Sequence, residues 1–242
     1  MLVEPRTERN VVGILGGMGP LSSAEFLKTI YEHSSRRFAR EQEAPTVAVY
    51  SDPAFPDRTT AFLRGEEEVV LERLADAITR LCAMGASRVV LCCMTIHLLV
   101  PRLPRGLRER VISLPDVIID HVARGGGRKH LLLCSTGSHR LGLFQNHPRW
   151  PSVAAAVVFP DAADQDRLHE LIYEIKKGRC LPETLSFLES LLGKYGVDSY
   201  IAACSEIHML AKHAEASPGH RARYGCVDPF TIIAREITEE RQ

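Results

Sequence analysis

Several features are scarce in this 242-residue sequence, and each scarcity removes a class of protein. No apolar run approaches the ~20 residues that a membrane helix needs. Thirty basic residues balance thirty acidic ones, so no long-range field draws the chain to nucleic acid or to an anionic bilayer. Neither Cys-x-x-Cys nor His-x-x-x-His occurs, which argues against a metal site. Nothing is low in complexity. Residues Met1 to Arg6 contain no signal-peptide apolar region, so the seven cysteines are expected as reduced thiols in a cytoplasm, not as a disulfide framework. What remains is an ordinary globular composition, 45% apolar and 25% charged, enough for one large domain or two moderate ones.

The most informative stretch is Val89-Val90-Leu91-Cys92-Cys93-Met94-Thr95-Ile96-His97. A β-branched apolar run reads as a buried parallel strand, and Glu66 to Met84, closed by Gly85, reads as the helix before it. Ligands in open α/β sheets bind at the carboxyl ends of strands, where this run presents two cysteines and a threonine. Ser199-Tyr200-Ile201-Ala202-Ala203-Cys204-Ser205-Glu206-Ile207-His208 repeats the pattern: apolar strand, Cys, a hydroxyl residue, and a His four positions after the Cys.

The rest of the chain fits around these two runs. Val11 to Leu15 predicts a strand, Gly16-Gly17-Met18-Gly19-Pro20 a turn, and Leu21 to Arg37 a helix. Gly-x-Gly-x-x-Gly is absent from that turn, so its free backbone N–H groups suit a small carboxylate better than a dinucleotide. Thr46 to Ser51 is a second strand, followed by a loop stiffened by Pro53 and Pro56 that carries Asp57-Arg58-Thr59. Arg58 there is placed for carboxylate recognition. Pro101 and Pro104 leave Leu98 to Arg110 short or irregular, Val111 to Pro115 gives a short strand, and Asp116 is expected to cap a helix to Arg124. After Gly125-Gly126-Gly127 a similar half begins: strand His130 to Cys134, turn Ser135-Thr136-Gly137-Ser138, strand Ala154 to Phe159, and helices over Asp164 to Lys177 and Leu185 to Leu192. A last strand, Gly225 to Val227, and a helix from Asp228-Pro229 close the chain. The expected fold is α/β: two pseudo-symmetric flavodoxin-like lobes with mainly parallel sheets flanked by helices, and the active site in the cleft between them. The N-terminal lobe takes residues 1–114 with 227–242, and the C-terminal lobe 115–226.

One thiol at a strand end suggests a covalent nucleophile; two, from related lobes facing one cleft, suggest inversion of a tetrahedral carbon by proton transfer. One thiolate removes a proton and one thiol returns one on the opposite face, without a cofactor. Cys82, Cys134, Cys180 and Cys226 read as small core hydrophobes, as does Cys92, which alternates with Cys93 along its strand. His97 and His208 either support catalysis or merely cap and pack. Glu206 either orients Cys204, receives a substrate ammonium, or is a surface group.

These residues resemble the aspartate/glutamate racemase family, the pyridoxal-independent amino-acid racemases. The matching stretches are Gly13 to Pro20, which is similar to the family's opening motif; Pro53 to Thr59; Cys93-Met94-Thr95-Ile96-His97, like Cys-Asn-Thr-Ala-His; and Cys204-Ser205-Glu206, like Gly-Cys-Thr-Glu. Weaker matches are the Ser135–Ser138 turn and Ile172 to Gly178. The resemblance implies catalytic Cys93 and Cys204 with no cofactor. It implies a substrate site formed by Met18, Gly19, Arg58, Thr95, Thr136, Gly137, Ser138, Lys176 (or Lys177), Ser205 and Glu206, with His97 and His208 in support. It further implies a cytoplasmic homodimer acting on a small amino acid, aspartate before glutamate. Met94 and Ile96 depart from the family's Asn and Ala, and Ala203 and Ser205 from its Gly and Thr. Methionine cannot supply the hydrogen bonds of an amide. A lyase or isomerase of a related diacid on the same scaffold, and a non-catalytic two-lobed binding protein, therefore stay open.

Overall fold

A computed structural model describes residues 11–179 and 181–239, which leaves Cys180 outside the described residues. The first half runs β1 (Val11–Gly16), α1 (Pro20–Ser35), β2 (Val47–Ser51), α2 (Arg58–Leu63), α3 (Glu67–Ala83), β3 (Ala86–Leu91), α4 (Arg105–Arg108) and β4 (Val111–Ile112). The second runs α5 (Leu114–Arg124), β5 (His130–Cys134), α6 (Thr136–Arg140), β6 (Val157–Val158), α7 (Ala162–Lys176), α8 (Leu181–Tyr195), β7 (Ser199–Ala203), α9 (Ser205–Glu215), α10 (Pro218–Arg223), β8 (Gly225–Val227) and α11 (Pro229–Glu239). Each half folds into a four-stranded, all-parallel sheet, ordered β2-β1-β3-β4 and β6-β5-β7-β8.

The two orders are the same order, that of a flavodoxin-like sheet short of its fifth strand. In this order the direction of winding reverses between β1 and β3, and again between β5 and β7. Crossover helices therefore leave to opposite faces at those two places, and the carboxyl ends of the paired strands border an open crevice. Cys93 follows β3 and Cys204 follows β7, so both sit at a reversal point.

Burial explains why the central strands are so apolar. β5 and β7 are buried at every residue, as parallel strands covered on both faces must be. Alternate strand residues divide between different cores. Leu15, Val89, Leu91 and Cys93 face an outer core built on α3, and Leu131, Leu133, Ala202 and Cys204 face a matching one built on α7, α8 and α9. The opposite faces, Val12, Ile14, Val90 and Cys92 from one sheet and Leu132, Cys134, Ile201 and Ala203 from the other, share a single central core with α1, α5 and α11. The two lobes are thus joined by apolar packing as well as by the chain.

Several local expectations shift. Ala154 to Phe159 is a 3-10 turn followed by a two-residue strand, β6, which pairs with β5 alone at the edge of its sheet. The helix to Arg124 begins at Leu114: Ser113 Oγ accepts from Asp116 N at 3.2 Å, so Ser113 and not Asp116 is the cap. Cys226 lies exposed on the edge strand β8 and Cys82 is half-buried, whereas Cys92 and Cys134 are buried core thiols. The Gly125–Gly127 break falls between α5 and β5, after the last strand of the first sheet and before the first of the second.

Candidate active site

Four strand-end turns build one cavity, lined by Met18 after β1, Cys93, Met94 and Thr95 after β3, Ser135 after β5, and Cys204, Ser205 and Glu206 after β7. Asp57, Arg58 and Thr59 from the start of α2 complete one side, and Tyr173 and Lys176 from α7 close the other. About 20 Å³ of free space remains, little more than one water requires. The closure has named bonds. Tyr173 Oη donates to Asp57 Oδ2 at 2.7 Å, across the halves, and Lys176 Nζ lies 4.3 Å from the Tyr173 ring centre. Burial and the Asp57 charge push the Tyr173 phenol well up, so it stays a donor.

The two thiols meet different charges. Arg58, only 8% exposed, donates from Nη2 to Met18 O at 2.7 Å and from Nη1 to Pro56 O at 2.9 Å. Its guanidinium also reaches the Cys93 side chain; burial works against the charge, but Cys93, Asp57 and Glu206 outweigh it, and Arg58 stays firmly cationic. Its Nε is buried without a partner. Cys204 has a carboxylate instead: its Sγ donates to Glu206 Oε2 at 3.0 Å, and Ser205 Oγ donates to the same oxygen at 3.0 Å. Burial first, and then the Glu206 charge, push the Cys204 thiol well up, with Lys176 in opposition. Cation beside one sulfur, anion beside the other: the cavity is electrically lopsided.

Glu206 is 1% exposed and packs against the turn after β1, with Ser22 Oγ 3.4 Å from its Oε1. That turn must be glycine-rich. Gly17 has φ +88, and a Cβ at Gly19 would collide with Glu206 Oε1. The pseudo-symmetric counterpart joins Thr95 to the turn after β5. Thr95 Oγ1 lies 3.1 Å from Ser135 Oγ and 2.9 Å from Ser138 Oγ, and these two hydroxyls are 3.2 Å apart.

Of the residues expected from sequence, Met18, Arg58, Cys93, Thr95, Lys176, Cys204, Ser205 and Glu206 line the cavity. Gly19, Gly137 and Ser138 lie outside the lining but against its members Glu206, Thr59 and Thr95, and Thr136 also lies outside it. Thr136 Oγ1 is buried with no partner, and Gly137 packs on Thr59. The two histidines face elsewhere. His97 Nδ1 donates to Cys93 O at 3.0 Å while its Nε2 accepts from Leu114 N at 3.2 Å, and burial pushes its pKa down to about 4, so it is a neutral staple. His208, fully buried, pairs through Nδ1 with Asp228 Oδ2 at 2.6 Å and through Nε2 with Thr29 Oγ1 at 3.2 Å, tying α9 to α1 and to the start of α11. Ser135 and Tyr173, from the two weaker family matches, also line it, and Asp57, Thr59 and Met94 join the lining without having been picked out from sequence as binding residues. Their signal was adjacency, since each lies within or beside a motif already quoted. Among the described residues no group of three His, Cys, Asp or Glu side chains could hold a metal ion. Nor is any helix there long and apolar enough to cross a membrane.

Two parallel α/β halves with a thiol at each reversal point define a class of two-lobed proteins with a cysteine pair in the cleft. The profile of the Asp/Glu/hydantoin racemase family matches residues 15–237, and the chain belongs to that family. It is 19% identical over 212 residues to the broad-specificity amino-acid racemase RacX of Bacillus subtilis, an alignment covering 85% of this chain and 89% of that one. Its fold is similar to that of an aspartate racemase from Picrophilus torridus, with a TM-score of 0.78 at 20% identity, covering 96% and 94% of the two chains. A glutamate racemase from Campylobacter jejuni matches with a TM-score of 0.59 at 16% identity, covering 96% and 86%.

Proposed function

We propose that the protein racemises an acidic amino acid, aspartate in preference to glutamate, by cofactor-independent two-base proton transfer at Cα between Cys93 and Cys204. The observation that carries this reading is the opposite charge beside two cysteines of one closed cavity. Arg58 sets a fixed positive charge beside Cys93, and burial together with Glu206 keeps the proton on Cys204. Cys93, as thiolate, removes the Cα proton, and the electron pair of the broken C–H bond passes into the α-carboxylate as an enolate. Cys204 delivers its own proton to the opposite face of Cα. The product is the other enantiomer, with Cys93 now the thiol and Cys204 the thiolate, which is the starting state for the reverse reaction.

Thr95, Thr136, Ser205 and the Gly17–Gly19 turn hold the α-carboxylate and the charge that grows on it. Each Thr95 or Ser135 hydroxyl then exchanges a bond within its triangle for one to substrate. Two cations, Arg58 and Lys176, favour a second carboxylate on the substrate. Because two of Arg58's nitrogens already bond main-chain carbonyls, Lys176 supplies the reach and Arg58 the fixed charge. The names of an aspartate racemase and a broad-specificity racemase among the similar proteins support an amino-acid substrate. In the same reading the working halves are 1–114 with 227–242 and 115–226. The protein acts as a cytoplasmic homodimer on a small-molecule substrate, with neither nucleic acid nor membrane as partner.

The test is solvent deuterium entering Cα of aspartate with loss of optical rotation, no cofactor being added. The parent should exchange and racemise. Cys93→Ala and Cys204→Ala should each lose racemisation by at least about a hundredfold while keeping the parent's circular dichroism. Full turnover in either variant would rule out the two-base scheme.

A further inference from the structure

A second hollow of about 540 Å³ lies behind the Cys93 turn, in the size range of small-molecule sites. Leu98, Val100, Val111, Leu143 and Pro148 give it apolar walls, and Arg108, Asp116 and His147 stand at its polar side. It shares no lining residue with the thiol cavity. Two of its wall segments nevertheless run directly into that cavity. His97 lines the hollow with its ring and holds the Cys93 carbonyl through Nδ1 at 3.0 Å and that of Met94 at 3.2 Å. Leu143 lines the facing wall and donates from N to Ser138 O at 3.1 Å, and Ser138 Oγ meets Thr95 Oγ1 at 2.9 Å. Whatever fills the hollow therefore presses on both supports of the Cys93–Thr95 turn.

The charges name the occupant. Asp116 is already engaged, by Arg149 at 3.3 Å and His147 at 3.3 Å. Arg108 donates from Nη1 to Pro101 O at 3.3 Å, and among the described residues no carboxylate pairs with it. A cation left for an outside partner beside an apolar hollow fits a carboxylate with an apolar body.

We propose that this hollow is an effector site for a small apolar monocarboxylate, whose occupancy changes the reactivity of Cys93 through His97. The regulatory part rests on the racemase reading; the binding part does not. The probe is 4-methylpentanoate, with the uncharged 4-methylpentanamide as control, titrated calorimetrically into the full-length protein. Expected are saturable binding of the acid, a loss of at least about tenfold in affinity in Arg108→Met, and no saturable binding of the amide. Binding should persist in the Cys93→Ala/Cys204→Ala double variant. In the parent, the bound acid should change the rate of Cys93 alkylation by iodoacetamide by about fivefold or more. No saturable binding, equal binding of acid and amide, or an unchanged affinity in Arg108→Met would overturn the proposal. So would loss of binding in the double variant, which would place the acid in the thiol cavity, or a fall in sedimenting mass in Arg108→Met, which would mean that a second copy covers the hollow. An unchanged alkylation rate with the acid bound would overturn the coupling. A parent that binds the acid but does not racemise would sink the proposed function and leave this site standing.

Discussion

Glu206 carries more of the site's organisation than its position in the sequence announces. A carboxylate that is 1% exposed is costly to bury unless it is thoroughly bonded, and this one receives Cys204 Sγ and Ser205 Oγ on one oxygen. Its other oxygen closes against the glycine turn of the opposite half. The same charge that anchors the turn discourages ionisation of Cys204. Glu206→Gln keeps an acceptor of the same length and removes the charge. Iodoacetamide should then alkylate Cys204 faster than in the parent at pH 8, by about tenfold for each unit its pKa falls. Equal rates in the two proteins would show that burial alone sets the thiol.

The element whose bonding is most sharply tested by pH is the 3-10 segment from Thr95 to Arg102, stapled by His97 to the N-terminus of α5. Burial lowers the His97 pKa to about 4 from the ordinary 6.5, so the unfolded chain takes up this proton first as the solution is acidified. The contribution of the staple is full above pH 6.5 and is lost as pH falls from there to about 4, on the order of 3 kcal/mol across the window. His130, lowered first by burial, adds to the same slope, so the informative quantity is a difference. His97→Asn keeps a donor to the Cys93 carbonyl and cannot titrate. Urea unfolding at a series of pH values should show the gap between parent and variant narrowing as pH drops from 6.5 to 4. Parallel curves would show that His97 is not held neutral by its surroundings. A different cross-element bond, Tyr173 to Asp57, illustrates why the closure of the cavity is invisible locally: each partner sits in a stretch of its own, far from the other in the chain, and nothing in either stretch says that they meet.

For the whole molecule, the central core decides how the halves behave. Phe230 of α11 packs on Phe26 of α1 at 5.0 Å between ring centres and on His208 of α9 at 5.3 Å, so one side chain joins elements that flank both sheets. Phe230→Ala should cost about 3–5 kcal/mol. Unfolding followed by circular dichroism and by the fluorescence of Trp150, the protein's one tryptophan, should still give a single shared transition at a lower denaturant concentration. Two separated transitions would mean that the halves fold independently of the core they share.

Much of this was legible from residues alone. An apolar β-branched run ending in Cys and a hydroxyl residue is a local signal, and its recurrence at Cys93 and Cys204 marked both cysteines, while Arg58 was marked by the prolines that stiffen its loop. The α/β class followed from the same alternation of periods. Strand order entered only through the expectation of flavodoxin-like lobes, because pairing in a parallel sheet depends on crossover packing and leaves no trace in any one strand. Not legible were the bonds that give the cleft its two electrical sides, Arg58 to Met18 and Cys93, and Glu206 to Ser22 and Cys204. His97 and His208 show the same limit: their spacing from each Cys is sequence, but which way each ring turns was settled by what packs around it. The sequence by itself determined which side chains stand at the strand ends, since that needs only neighbours along the chain. Tertiary structure alone decided which of them meet and with what charge between them, since those contacts span the two halves.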